Sequence, residues 1–247
     1  MRYLFEIAYN GTRYHGWQRQ DNAITVQEVV EEALTRITRS KTSIMGSGRT
    51  DTGVHCRQQF FHADFEKKID PEKLRYKLNS YLPPDISIQS IKAISNEAHA
   101  RFEATLRAYE YKITRVKDPF QKGFSYYYSK PLDIITMNEA ATLLIGEKDF
   151  EAFSRVKTEV NNFICNITEA EWQEQDNNLI FSIKANRFLR GMVRAIVGTL
   201  LLVGSDKITP KEFQKIIESK DRKQAGSAAP AEGLFLKSVI YPKDIYI

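Results

Sequence analysis

Gly46-Ser47-Gly48-Arg49-Thr50-Asp51-Thr52-Gly53-Val54-His55 is the most unusual stretch of the chain, and the elements on either side of it set the fold class. Glycines at 46, 48 and 53 permit left-handed backbone and the close approach of a ligand. Between them stand one guanidinium, Arg49, and one carboxylate, Asp51, two residues apart. A carboxylate on a glycine-lined loop can act as a nucleophile or a base, and a nearby arginine would hold it ionised. An ordinary surface turn with an exposed ion pair fits the same letters about equally well.

Upstream of this loop, Tyr3, Phe5, Ile7 and Tyr9 share one face and Leu4, Glu6 and Ala8 the other, a period of two that predicts a half-buried strand. Asn10-Gly11 marks the turn after it. Thr25-Val26-Gln27-Glu28 reads as a capping box opening a helix to about residue 39. Downstream, a strand is expected around 57–65. Asp70-Pro71 then supplies the cap and first position of a helix that should stop before Pro83-Pro84, and a strand follows over 86–94. Residues 106–114 read as another strand, with Arg107, Tyr109, Tyr111 and Ile113 on one face.

Further along, Thr136-Met137-Asn138-Glu139 reads as a second capping box. Residues 163–172 and 179–185 read as a strand pair, 188–203 as a long helix and 233–241 as a closing strand. Thr209-Pro210-Lys211-Glu212 opens one more helix. The order of strands and capped helices repeats coarsely, with no repeat at residue level. Two α/β subdomains are expected, 1–103 carrying the Asp51 loop and 104–247 carrying the tyrosine strand and the arginine helix.

The 247 residues are 42 % apolar and 27 % charged, enough to build a core. Lys and Arg number 36 against 31 Asp and Glu, a net charge of +5, which favours a polyanionic partner without proving one. Cys56 and Cys165 make neither a disulfide framework nor a C-x-x-C metal site, and both read as free thiols. The apolar run 192–204 is too short to span a bilayer and contains Arg194. The opening Met1-Arg2-Tyr3-Leu4-Phe5-Glu6 has no apolar signal region, so a cytoplasmic location is expected.

Several sharper readings of the loop fail. No Gly-Lys-Ser or Gly-Lys-Thr completes a phosphate loop. After Gly46 and Gly48, the third glycine of a dinucleotide fingerprint would fall at Asp51. Asp51-Thr52-Gly53 is the tripeptide of aspartic proteases, but no second copy exists to share a proton, and Arg49 would oppose such sharing. On the arginine helix, Arg187, Arg190, Gly191, Arg194 and Gly198 fall on one stripe; glycines inside a helix point to close packing or function. Tyr109 and Tyr111 beside Arg107 suit base stacking and phosphate contact, though either tyrosine alone reads more simply as core. Tyr126-Tyr127-Tyr128 reads as an edge or interface strand. His15, His55, His62 and His99 show no ligand spacing, and each reads as polar or phosphate-contacting.

The loop closely resembles the catalytic loop of the tRNA pseudouridine synthase A family. So do residues 3–11 with Tyr14-His15-Gly16-Trp17-Gln18-Arg19-Gln20, the segment His99-Ala100-Arg101-Phe102, the strand Ala104-Thr105-Leu106-Arg107-Ala108-Tyr109-Glu110-Tyr111, the run Phe188-Leu189-Arg190-Gly191-Met192-Val193-Arg194, and Ala229-Pro230-Ala231-Glu232-Gly233-Leu234. Their order runs over nearly the whole chain. Residues 157–162, with Glu159, depart from the more basic or hydroxyl-rich loop of relatives.

This resemblance implies an α+β fold: two similar α/β subdomains sharing a continuous, mainly antiparallel sheet, with helices packed on it and a catalytic cleft between the halves. It implies isomerisation of uridine to pseudouridine at positions 38, 39 and 40 of the tRNA anticodon stem-loop, by a homodimer, with no metal and no cofactor. Asp51 is then the nucleophile or base. Attack at C1′, attack at C6 and removal of a ribose proton all stay open. Arg194 is expected to keep Asp51 charged, and Tyr109 to stack on the target base and to take the C5 proton. Arg49 is expected to fill the gap left by a flipped base or to bind RNA. Arg101 and Arg107 are expected on the RNA backbone, with His99, Phe102, Arg187 and Arg190 as further RNA contacts. A non-catalytic RNA-binding module using the same residues is the alternative.

Overall fold

A computed structural model describes residues 1–156 and 162–247. The 157–162 departure therefore lies outside the described residues apart from Asn162. The chain divides into two compact units, 1–106 with 235–247, and 107–234.

The first unit begins with β1 (Arg2–Tyr9) and continues through α1 (Val26–Thr38), β2 (Ile44–Gly46), β3 (His55–Asp64), α2 (Pro71–Tyr81) and β4 (Ile86–Ile94). β1 is central and antiparallel to both neighbours, pairing Phe5 with Phe61 of β3 and with Ile91 of β4. The predicted alternation holds because one face must be apolar: Phe5 stacks on Phe61 at 4.7 Å, and Trp17 lies 6.0 Å from Phe61. Thr25 caps α1 by accepting the Glu28 N–H, and Asp70 caps α2 by accepting that of Lys73. α2 is tied to β4 by Asn79, which donates to the Ile88 carbonyl and accepts the Ile88 N–H.

The second unit carries β5 (Leu106–Thr114), which enters it at Arg107, then β6 (Tyr126–Tyr127), α3 (Ile134–Thr142), β7 (Gly146–Asp149), β8 (Ile164–Gln175), β9 (Asn178–Ala185), α4 (Met192–Gly204) and α5 (Pro210–Ser219). Its sheet order is β5-β9-β8-β7, antiparallel throughout, with β6 added parallel to the end of β5. Trp172 and Phe181, paired across β8 and β9, pack 5.0 Å apart. Thr209 and Glu212 form the complete capping box of α5.

Three expectations are corrected. α3 opens at Ile134, not at Thr136, because Asp133 accepts the Thr136 N–H and hydroxyl and takes the cap. α4 opens at Met192, not near 188. Gly191 takes φ +73°, a left-handed turn that starts the helix there and leaves Arg187 and Arg190 in the segment before it. The closing strand, β10 (Leu234–Ile240), is expected in the C-terminal half, 104–247, yet from Phe235 onward it belongs to the first unit. It runs parallel to β3, Phe235 opposite His55 and Leu236 opposite Cys56. The Tyr241 hydroxyl donates to the Ala100 carbonyl at 2.5 Å, and the Ile247 N–H to that of Ala93.

Candidate active site

The Asp51 loop returns the chain from the Gly46–Phe61 pair of β2 and β3 to the start of β3 at His55. Its backbone is fixed at successive points. The Ser47 N–H donates to the Phe60 carbonyl at 2.7 Å. The Thr50 carbonyl accepts the Trp17 N–H at 3.3 Å, and the Gly53 N–H donates to the Tyr14 carbonyl at 3.2 Å. Gly16, at φ +85°, lies so close under Thr50 that a Cβ there would collide with the Thr50 carbonyl oxygen. Of the loop's three glycines, Gly53 alone is left-handed, at φ +79°.

Beneath the loop lies a buried polar chain. The Tyr9 hydroxyl is 2.8 Å from the Thr50 hydroxyl and 2.9 Å from Gln59 Oε1, and Gln59 Nε2 donates to the Gly48 carbonyl at 3.0 Å. Asp51 itself is half-buried, and Arg49 is exposed, its Nε donating to Gln18 Oε1 at 3.1 Å. The arrangement presents a carboxylate at the surface of a loop whose backbone has little freedom.

The same unit holds His99, Arg101 and Phe102 on one turn after β4. The His99 ring lies 4.3 Å from Phe102 and 4.8 Å, edge-on, from His62. His99 Nδ1 accepts the Arg101 N–H, and the Arg101 guanidinium sits 5.6 Å over Phe102, which is 73 % exposed. Of the four histidines, His62 and His55 are buried polar groups, His62 Nδ1 accepting the Ala100 N–H and His55 Nδ1 that of Gly11.

In the second unit, Tyr109 is half-buried and meets Phe188 edge to face at 5.1 Å. Tyr111, two residues on, is core: its hydroxyl donates to the Pro230 carbonyl at 2.8 Å, and burial pushes its pKa far up. Arg107 Nη1 donates to the Asn186 carbonyl, and Arg187 Nη1 to Asn162 Oδ1. Arg194 Nε donates to the Ala229 carbonyl at 2.7 Å, and the Ala229 N–H returns a bond to the Arg194 carbonyl. Arg190 is exposed, its carbonyl accepting the Arg155 N–H. The predicted arginine stripe thus reduces to Arg194 and Gly198 on α4. Gly198 admits backbone, not phosphate: a Cβ there would strike the Ser227 carbonyl.

Burial pushes both thiols up, that of Cys165 to about 11, so neither is a ready nucleophile. Among the described residues, no cluster of three or more His, Cys, Asp or Glu could hold a metal ion. None of the described helices is long and apolar enough to cross a membrane. Tyr9 and Phe188, expected only as strand and motif residues, and Gln59, not expected at all, also belong to this region. The signal at Gln59 is a carboxamide sharing the apolar face of β3 with Phe61 and Ala63.

A profile of the tRNA pseudouridine synthase family matches residues 7–103 and 140–242, and the chain belongs to that family. Among particular proteins, it is 48 % identical to tRNA pseudouridine synthase A of Bacteroides fragilis, over 99 % of this chain and 98 % of the relative. It is 46 % identical to the protein of that name from Bacteroides thetaiotaomicron, over 99 % and 92 %, and 47 % identical to that from Porphyromonas gingivalis, over 100 % and 99 %.

Proposed function

We propose that the protein isomerises uridine to pseudouridine in tRNA, at positions 38, 39 and 40 of the anticodon stem-loop. The observation that carries the reading is the Asp51 loop, a half-buried carboxylate on an anchored backbone in a chain of this family. The reaction breaks the C1′–N1 bond and forms C1′–C5; C5 gives up its proton and the freed N1 takes one up, with no change of redox state. It asks for one nucleophile or base, a platform for the freed uracil and a means of reaching a base within a helix. Asp51 is the nucleophile or base. Tyr109, already engaged edge-on by Phe188, stacks on the uracil and takes the C5 proton. Arg194, its Nε held by the Ala229 carbonyl, is the third catalytic residue of the proposal. Arg49, with one guanidinium edge held by Gln18, fills the gap left by the flipped base. Arg101, Arg107, Arg187 and Arg190 meet phosphates, and His99 and Phe102 add contacts to the RNA. The working form is a cytoplasmic homodimer with one tRNA lying across both copies.

Tritium release from a tRNA transcript made with [5-³H]uridine tests this, with wild type and Asp51→Asn side by side. Wild type is expected to release tritium, and Asp51→Asn to bind the transcript and release none. Turnover by the variant at a sizeable fraction of wild type would overturn the role of Asp51. Binding without release by either protein would leave an RNA-binding module.

A further inference from the structure

We infer that Tyr9, the Thr50 hydroxyl and Gln59 form a buried relay whose function is to position Asp51 for the chemical step, without touching RNA. This deepens the proposed reaction and rests on it.

The relay has only one possible direction. The Gly48 carbonyl can only accept, so the group of Gln59 facing it must be the amide NH₂, at 3.0 Å. That turns Gln59 Oε1 toward Tyr9, where it can only accept, so the Tyr9 hydroxyl donates to it at 2.9 Å. The Tyr9 oxygen is then left to accept, and the Thr50 hydroxyl donates to it at 2.8 Å. The order of donation along Thr50 → Tyr9 → Gln59 → Gly48 is thereby fixed. A second arrangement would set two donors or two acceptors face to face.

Both ends of the relay land on the loop. One end holds the carbonyl of Gly48 and the other the side chain of Thr50, so the two residues flanking Arg49 are pinned from below. Thr50 also precedes Asp51 directly, and its carbonyl is held from the other side by the Trp17 N–H. Tyr9 is 4 % exposed, Gln59 0 % and Thr50 9 %, so removing one member strands its partners away from water. The Tyr9 ring lies 6.1 Å from the Trp17 indole, which joins the relay to the core. A rigid support of this kind sets the aim of a reacting group and leaves a substrate's grip on the outer surface unchanged.

The test measures kcat and KM for tritium release by Thr50→Val, Thr50→Ser and Tyr9→Phe, at a temperature where circular dichroism shows each folded. Thr50→Val and Tyr9→Phe are expected to lose kcat by about 10- to 100-fold, the scale of a misplacement of about 1 Å, with KM within about threefold. Thr50→Ser, which keeps the donor, is expected to retain kcat within about threefold. Wild-type kcat in Thr50→Val, or an equal loss in Thr50→Ser, would overturn the proposal. Tyr9→Phe removes a single oxygen and decides the matter should Thr50→Val not fold. Amide hydrogen exchange of residues 49–53 gives a readout independent of turnover, and is expected to quicken at least about tenfold in both variants as local opening becomes easier. Unchanged exchange overturns the relay. A wild type that releases no tritium while exchange still quickens overturns the proposed reaction alone.

Discussion

His62 shows how one buried side chain ties the fold to the pH at which it holds. Its ring packs edge-on to His99, accepts the Ala100 N–H and lies near Arg2. Burial, then the charges of Arg2 and His99, lower its pKa from 6.5 to about 4, against a smaller upward pull from Asp64. The folded protein therefore takes up this proton only near pH 4, the unfolded chain already near pH 6.5. Between those values the unfolded chain binds more protons, so this contribution to stability falls as the pH drops. Wild type should lose more melting temperature between pH 7 and pH 5 than His62→Gln, which keeps an acceptor for Ala100 and cannot be protonated. Parallel losses would refute the assignment. At this scale the loop around Asp51 is legible in the sequence, because glycines around a carboxylate are visible in a string of letters; that Asp51 carries the chemistry is the proposal above. The loop's support is not legible. Alternation along β3 says that Gln59 faces inward, but not that it meets Tyr9, 50 positions away.

Among the elements, α4 shows the difference between a pattern and its cause. The spacing of glycines and arginines predicts one long helix with a basic stripe, and the glycine at 198 does mark a point of close approach. What approaches is the chain at 226–229. The Gly226 N–H donates to the Thr199 hydroxyl, and Ala229 and Arg194 exchange bonds. Alanine normally strengthens a helix by about 1 kcal/mol over glycine. Here its Cβ would meet a backbone carbonyl that cannot swing aside without breaking these bonds. Gly198→Ala is expected to lower stability by about 1–3 kcal/mol, the usual range for overpacking, seen as a lower urea midpoint. A higher midpoint would contradict this packing. Strand limits were legible because alternation marks them directly, and 86–94 and 106–114 match the observed ends. Three of the five helix starts, at Val26, Pro71 and Pro210, are legible from their caps; the other two move because a nearby Asp133 outcompetes Thr136 and because Gly191 turns left-handed just before Met192.

Over the whole molecule, charge is the governing quantity. An excess of five positive charges is small, so affinity for RNA must come from where the arginines stand. Arg49 and Arg101 are exposed in the first unit and Arg190 in the second. Contacts made to phosphates release counterions, so tRNA binding should weaken about tenfold or more between 50 and 200 mM salt. A flat response in filter binding would count against recognition through phosphates. The α+β class and the family were legible from motifs spread along the chain. The unit to which the final strand belongs was not, since adjacency in sequence says nothing of a strand that returns to pair with one 180 positions earlier.

That return has a consequence for how the protein is made. The first 106 residues leave the ribosome early, but 235–247, which complete the same unit, are synthesised only after all of 107–234. At about 5–20 residues per second, the wait is of the order of ten seconds. Throughout it, the edge of β3 at His55 and Cys56 has no partner, and the His55 ring lacks the Phe235 face on which it finally stacks, 4.7 Å away. The nascent unit thus keeps an open sheet edge while residues 107–234 are being made. The strand that closes it arrives only after the entire second unit has been translated, so a chain that terminates early never finishes the unit that carries Asp51.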